Sequence, residues 1–302
     1  MQHPSLSSER RLMPSSPNFE PAAPLDLTGL AMGAVHLRTR DATRLVPFYQ
    51  QVVGLTELSR SADRVTLGAG GRPLVVLEQH PGLGPVPQRA PGLFHLAVRV
   101  PDRASLAARL HALRASGARF GASDHRVSEA LYVDDPDGNG VEIYRDRPAE
   151  DWPWEGTSIA MATEPLDLAD LAAQAPPSAA VEPAPAGTDM GHVHLKVTDL
   201  AATRAFWGGV VGLTLMAEYP GALFMAADGY HHHLGLNVWQ SRGTAPAPAG
   251  TSGLDRLTLH LPPEGIAALH RRLAQAGWPV ALDDGTLCFA DPSGNGVQVA
   301  SP

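Results

Sequence analysis

The chain has 302 residues, 44% hydrophobic and 18% charged, with a formal net charge of −8. That length suggests two domains, each able to bury a core, and the negative charge argues against a nucleic-acid surface or an anionic membrane as partner. No run approaches the roughly 18 apolar residues of a membrane span, the N-terminus lacks the apolar core of a secretory signal, and the single Cys288 excludes an internal disulfide, so a reducing cytoplasm is the expected compartment.

Residues 1–29 are rich in Ser and Pro and aperiodic, which predicts a mobile N-terminal tail. From Gly33 a first unit begins. Val35 to Arg40 reads as a strand, Asp41 caps a helix carrying Leu45, Phe48 and Tyr49, and Gly54 stops it. Val65–Leu67 and Leu74–Leu77 are further strands. A second unit begins at Gly92. Phe94 to Val100 alternates, Pro101-Asp102 opens a helix that Gly117 ends, Leu131–Val133 is a strand, and Val141–Tyr144 closes the unit after the turn Asp135 to Gly140.

Residues 148–188 are Pro- and Ala-rich, with one short helical candidate at Leu166 to Gln174, and read as a linker. The third unit opens on Gly191-His192-Val193-His194-Leu195-Lys196-Val197. Its alternation puts His192, His194 and Lys196 on one face of a half-buried strand. Strands at Leu223–Ala226 and Tyr230–Trp239 follow. The fourth unit runs from Gly253, with a helix over Glu264–Ala276 and a closing strand at Val297–Val299.

The units repeat one another. Asp41, Phe48, Gly54 and Leu55 return at the same spacing as Asp199, Phe206, Gly212 and Leu213. Asp135-Pro136-x-Gly138-Asn139-Gly140-Val141 returns as Asp291-Pro292-x-Gly294-Asn295-Gly296-Val297. Each unit is strand, helix, then about three strands. One such unit leaves a sheet face bare, so units must pair.

This βαβββ pattern, four times over, resembles the vicinal oxygen chelate superfamily of glyoxalase I, bleomycin-resistance proteins and extradiol dioxygenases. The stretch Gly229-Tyr230-His231-His232-His233-Leu234-Gly235-Leu236-Asn237 is similar to the bacterial two-domain catechol-2,3-dioxygenase-like proteins. The resemblance covers 30–147 and 189–302. It implies an α+β fold with curved mixed sheets: one domain at 30–147 holding units 1 and 2, and a second at 189–302 holding units 3 and 4.

The resemblance also selects residues. A family metal histidine lies seven residues before the helix-capping aspartate, which selects His192 at Asp199 and His95 at Asp102, but Ala34 at Asp41. In the fourth unit Arg256 stands where His95 stands in the second. The family carboxylate lies just past the Asn-Gly turn, at Glu142 in the second unit and Gln298 in the fourth. Neither half holds a full set. Together they give His192, His95 and Glu142, the two-His-one-carboxylate arrangement of a non-haem Fe(II) oxygenase, with Mn(II) equally acceptable to such ligands. Units 2 and 3 are therefore expected to pair, within one chain or between the chains of a homo-oligomer.

By the same resemblance Tyr132 is a substrate-facing tyrosine, and the His231–His233 triplet holds an acid–base histidine. The family pattern selects His232. Strict alternation separates His232 from His231 and His233, so a bulge is needed, and His231 is kept beside it. The implied reaction is ring cleavage of a catechol-type aromatic diol with O2. The rivals are glyoxalase-type metal-dependent isomerase or lyase chemistry, which usually presents two glutamates, and a non-enzymatic small-molecule-binding protein, which has no need of the metal set.

Overall fold

The computed structural model describes residues 25–178 and 182–302. Most of the predicted mobile tail therefore lies outside the described residues. Its last part does not hang free, because Leu27 is buried in the core.

The first unit is β1 (Ala31–Thr39), α1 (Ala42–Phe48), β2 (Thr56–Arg60), β3 (Arg64–Ala69) and β4 (Arg72–Gln79). The second is β5 (Gly92–Arg99), α2 (Arg103–Ser116), β6 (Gly121–Asp124), β7 (Ser128–Asp134) and β8 (Gly140–Asp146). The connecting segment carries a small hairpin, β9 (Trp154–Glu155) and β10 (Ser158–Ile159), and α3 (Leu168–Ala172). The third unit is β11 (Asp189–Lys196), α4 (Leu200–Arg204), β12 (Thr214–Tyr219), β13 (Ala222–Ala226) and β14 (Leu234–Asn237). The fourth is β15 (Gly253–His260), α5 (Pro263–Gln275), β16 (Val280–Asp283), β17 (Thr286–Ala290) and β18 (Gly296–Ala300). Among the described residues, no helix is long and apolar enough to cross a membrane.

Three helices start as their sequences dictate. Asp41, Asp102 and Asp199 each take extended backbone and accept a hydrogen bond from the first turn, at Thr43 N, Ser105 N and Ala202 N. In the first and third units the helix continues as a π-helical stretch, Tyr49–Val53 and Ala205–Val211, which ends on a left-handed glycine, Gly54 or Gly212. The strands β2 and β16 were not legible. Both lie at sheet edges and are largely exposed, β2 being mostly polar and β16 only four residues long, so neither shows the alternation of a half-buried strand.

The sheets cut across the chain halves. One eight-stranded sheet runs β16-β17-β18-β15-β1-β4-β3-β2 and joins units 4 and 1. The other runs β12-β13-β14-β11-β5-β8-β7-β6 and joins units 3 and 2. Each is centred on an antiparallel pair of first strands, β1 with β15 and β5 with β11. The pairing expected of units 2 and 3 thus occurs within one chain. A single apolar cluster runs from Val35 and Leu37 on β1 through Leu106 and Leu110 on α2 to Phe206, Trp207 and Leu269, joining both sheets to the helices. The opposite face of β11 and β5 carries His192, His194 and His95, with Ala97 between them.

The turns before β8 and β18 are built alike. Asp135 accepts from Asp137 N, Asn139 N and Asn139 Nδ2, each at 2.9 Å, and from the Tyr49 hydroxyl at 3.0 Å. Asp291 repeats the backbone part with Ser293 and Asn295. The turn delivers Gly140 against β5 so closely that a Cβ there would fall 2.2 Å from the Phe94 carbonyl oxygen. That close approach sets the position of Glu142 two residues on.

Candidate metal centre

Antiparallel pairing of β11 with β5, and parallel pairing of β5 with β8, set His192, Ala97 and Glu142 side by side across three strands. Laterally paired residues share a face, and His95, two residues before Ala97, shares it too. Ala97 is fully buried between the two longer side chains, and its methyl leaves the space into which they converge. A bulge at Gly191, where the β11 register slips, sets the phase of this row. A Cβ at Gly191 would fall 1.7 Å from the Tyr144 hydroxyl oxygen, so the bulge requires glycine.

His95 Nε2 lies 3.0 Å and His192 Nε2 lies 3.1 Å from the same carboxylate oxygen, Glu142 Oε2. The three residues each offer a ligand atom within 4.8 Å of the others, and all three are buried. Among the described residues no other group of His, Cys, Asp and Glu does this. His192 Nε2 hydrogen-bonds Glu142 Oε2, whereas His95 Nε2 is close to that oxygen without hydrogen-bond geometry, and His192 Nδ1 has no partner. An orphaned buried polar atom costs about 1–3 kcal/mol, and a cation that takes up the His95 lone pair removes that cost. Burial drives the His192 imidazole down to about 4, so it is neutral at physiological pH. Burial by itself raises the Glu142 carboxyl, but the His192 and His95 imidazoles outweigh it and hold the group well below the usual carboxylate range. Neutral imidazole and ionised carboxylate are the forms that bind metal. Two nitrogens and one oxygen suit Fe(II) or Mn(II) and leave coordination positions open.

Around this group the other predicted residues take distinct places. Tyr132 on β7 is paired with Glu142 in register, and its ring centroid is 5.6 Å from that of His95. Its hydroxyl is 2.7 Å from His125 Nε2, and His125 Nδ1 is 2.5 Å from the Ala162 carbonyl, so the connecting segment reaches the site. Strict alternation fails at the histidine triplet. β14 begins only at Leu234, so no ladder holds 230–232 in phase. The irregular backbone sets both His231 and His232 beside His192, with ring centroids 6.2 and 4.2 Å away. His233 instead accepts from Ala227 N at 3.2 Å. His194 sits next to His95, ring centroids 4.9 Å apart, with Nε2 3.0 Å from Asn237 Nδ2.

Asp146 is the member that sequence reasoning missed. Its Oδ1 lies 2.7 Å from His231 Nε2, and His231 Nδ1 lies 2.9 Å from His232 Nδ1. Asp146 also accepts from Arg99 at 2.9 Å and Tyr230 at 3.0 Å. The signal was available: Asp146 stands four residues after Glu142 on one strand, hence on the same face.

The other sheet shows what the same scaffold does without the ligands. Arg256 donates from Nε to Gln298 Oε1 at 2.9 Å, and one of its terminal nitrogens lies 3.2 Å from Glu78 Oε1. His36 and Arg64 approach the same Glu78 oxygen, each at 3.3 Å. Hydrogen bonding to His36 leads the effects that bring the Glu78 carboxyl down from 4.5 to about 2, against burial, with Arg256 adding to the fall. A depressed acid stabilises the fold above its unfolded value and loses that contribution as pH falls through its folded value. Glu78→Gln is therefore expected to cost about 2–3 kcal/mol at pH 7. It should also flatten the loss of stability between pH 4.5 and about 2, read by denaturant melts across that range.

Comparison with known proteins divides the chain at the connecting segment instead. The family model described as Glyoxalase-like domain matches residues 34–144. The one described as Glyoxalase/Bleomycin resistance protein/Dioxygenase superfamily matches residues 189–299. A protein of Bacillus subtilis (strain 168) named Catechol-2,3-dioxygenase is 38% identical over 268 residues, covering 86% of this chain and 93% of the relative. A solved structure from Bacillus subtilis subsp. subtilis str. 168 superposes with a TM-score of 0.63 at 15% identity, covering 89% of this chain and 85% of that one. Glyoxalase I from Zea mays gives 0.54 at 15% identity, covering 90% of this chain and 93% of its own. At such identities the two structures show the fold.

Proposed function

The chain belongs to the glyoxalase/bleomycin resistance/dioxygenase superfamily, and on that premise we propose that it is a metal-dependent extradiol dioxygenase cleaving a catechol-type diol with O2. The observation that carries the reading is the buried convergence of His95, Glu142 and His192 in a chain so similar to a named catechol-2,3-dioxygenase. These three residues would hold Fe(II) or Mn(II). The ion would supply neighbouring open positions for diol and O2 and a path for electrons between them.

The remaining steps belong to the protein. Burial raises the Asp146 carboxyl, but His231 and Arg99 outweigh it and keep it ionised, so it only accepts. His231 Nε2 therefore carries a hydrogen and donates to Asp146. The other nitrogen of His231, Nδ1, then accepts from His232 Nδ1 across 2.9 Å. That leaves Nε2 of His232 as its accepting nitrogen, beside the His192 ring. Burial and the neighbouring imidazoles, His192 foremost, keep His232 neutral. His232 thus takes a substrate hydroxyl proton at Nε2 and passes its Nδ1 proton to His231, whose charge settles against Asp146.

The Ala162 carbonyl can only accept, so His125 Nδ1 donates to it, and His125 Nε2 accepts from the Tyr132 hydroxyl. The Tyr132 oxygen then receives a hydrogen bond from the substrate diol. Tyr132→Phe removes that acceptor. We expect kcat to fall about tenfold, the value of roughly 1.4 kcal/mol, with metal content unchanged, by steady-state assay beside metal analysis.

The reading is tested by loading Fe(II) without oxygen, adding catechol and admitting O2. One O2 should be consumed per catechol, with a yellow ring-opened product. Loaded protein that consumes no O2 with any catechol would refute it.

A further inference from the structure

Around the proposed centre nearly every side chain is buried. One side differs. Phe94, Tyr132 and Phe224 are only partly buried, and Trp239 is 51% exposed. At the other end of the row Tyr144 and His231 are fully buried and Trp152 covers them, its ring 5.1 Å from that of His231. The side of the group nearest solvent is therefore the one that carries Phe94 and Trp239.

Both residues are placed there by the backbone. The β5–β11 register passes from His194 opposite His95 to Leu195 opposite Leu93, so Phe94 is an extra residue without a partner on β11. A bulge re-aims the side chain it carries. The Phe94 ring comes 4.9 Å from His194 and 5.4 Å from Trp239, and His194 in turn is 4.9 Å from His95. An aromatic path thus runs from the surface to the ligand group. Two hydrogen bonds fix Trp239 in place. Its indole N–H donates to the Pro220 carbonyl at 3.0 Å, and its backbone N–H donates to Asn237 Oδ1 at 3.2 Å. A large, fixed aromatic face in water beside a buried polar site is suited to a flat apolar group.

The geometry points to Trp239 and Phe94 as an aromatic lip that receives a flat ring substituent, so that the substrate is an aryl-substituted catechol. The inference rests on the ring-cleaving reading above and names its substrate class. The polar half of the substrate, the diol, goes to the His95, Glu142 and His192 end. The planar substituent lies against the lip.

The test measures binding and cleavage separately. Fe(II)-loaded protein is titrated without oxygen with 3- and 4-phenylcatechol, their cyclohexyl counterparts and catechol, by calorimetry. One phenyl isomer should bind about fivefold tighter than its cyclohexyl counterpart, the scale of an aromatic contact beyond buried area. Trp239→Ala and Trp239→Leu should erase that ratio, and Trp239→Phe should keep most of it. Equal binding of phenyl and cyclohexyl forms by the unaltered protein, or an equal weakening of both in Trp239→Ala, would overturn the lip. Oxygen is then admitted. A phenyl preference without ring cleavage would leave the lip standing and remove the dioxygenase reading instead.

Discussion

His95→Ala and His192→Ala should each abolish stoichiometric iron binding and lower kcat/KM for catechol cleavage by at least about a thousandfold, a loss of roughly 4 kcal/mol. The two residues lie in different halves of the chain, yet their imidazoles reach the same oxygen of Glu142. Losing either leaves one imidazole and one carboxylate, which cannot fix a labile divalent ion at neutral pH. Both positions lie within continuous strands whose backbone pairing does not depend on the side chain, so the fold should persist. Removing His192 takes away a hydrogen bond to the buried Glu142, and about 1–3 kcal/mol of stability is expected to go with it. Iron analysis, circular dichroism and thermal melts separate the effects. Normal iron content in either variant would contradict the ligand assignment.

His232→Ala should retain iron and lower kcat by about a hundred- to ten-thousandfold, the range of a positioned acid–base group. Asp146→Asn should act in the same direction and more weakly. An amide can donate to His231 Nε2 as well as accept, which reverses the proton order along the two rings. His231 then turns its Nδ1–H to His232, and the accepting nitrogen of His232 is lost to the substrate. Single-turnover kinetics with iron-replete variants measure this. If His231→Ala removes activity and His232→Ala does not, the base is His231 and the proton runs along the pair in the opposite order.

Much of this arrangement could be read in the chain. The recurring Asp before the helix of each of the first three units, and the Asp-Pro-x-Gly-Asn-Gly turn, mark fixed points in a repeated backbone. Counting from them by the superfamily's pattern selects His95, Glu142 and His192, and the pairing of β11, β5 and β8 sets those residues together. The same count finds Ala34, Arg256 and Gln298, and the structure there has a guanidinium knotted to Gln298 and Glu78.

What was not legible has physical causes. Alternation assumes a ladder, and none holds 230–232, so the face taken by His231 and His232 could not be counted. The bulges at Gly191 and Phe94 shift phase without a composition change. His125 acts through a contact with Ala162, 37 residues on, which no local pattern reports, and alternation on β8 gives the face of Asp146 but not its partner His231. The linker was read as a spacer, yet Trp152 and Ala162 wall the site, because packing and not composition decides what a Pro-rich segment covers.

A single metal ion, gripped jointly by the two chain halves, underlies every step proposed for this protein. Crystals of iron-loaded protein, with anomalous differences recorded at the iron edge, test it most directly. One peak per chain is expected, bounded by His95, Glu142 and His192. A peak at the Arg256 side of the other sheet, two peaks per chain, or iron bound by one half alone would contradict it.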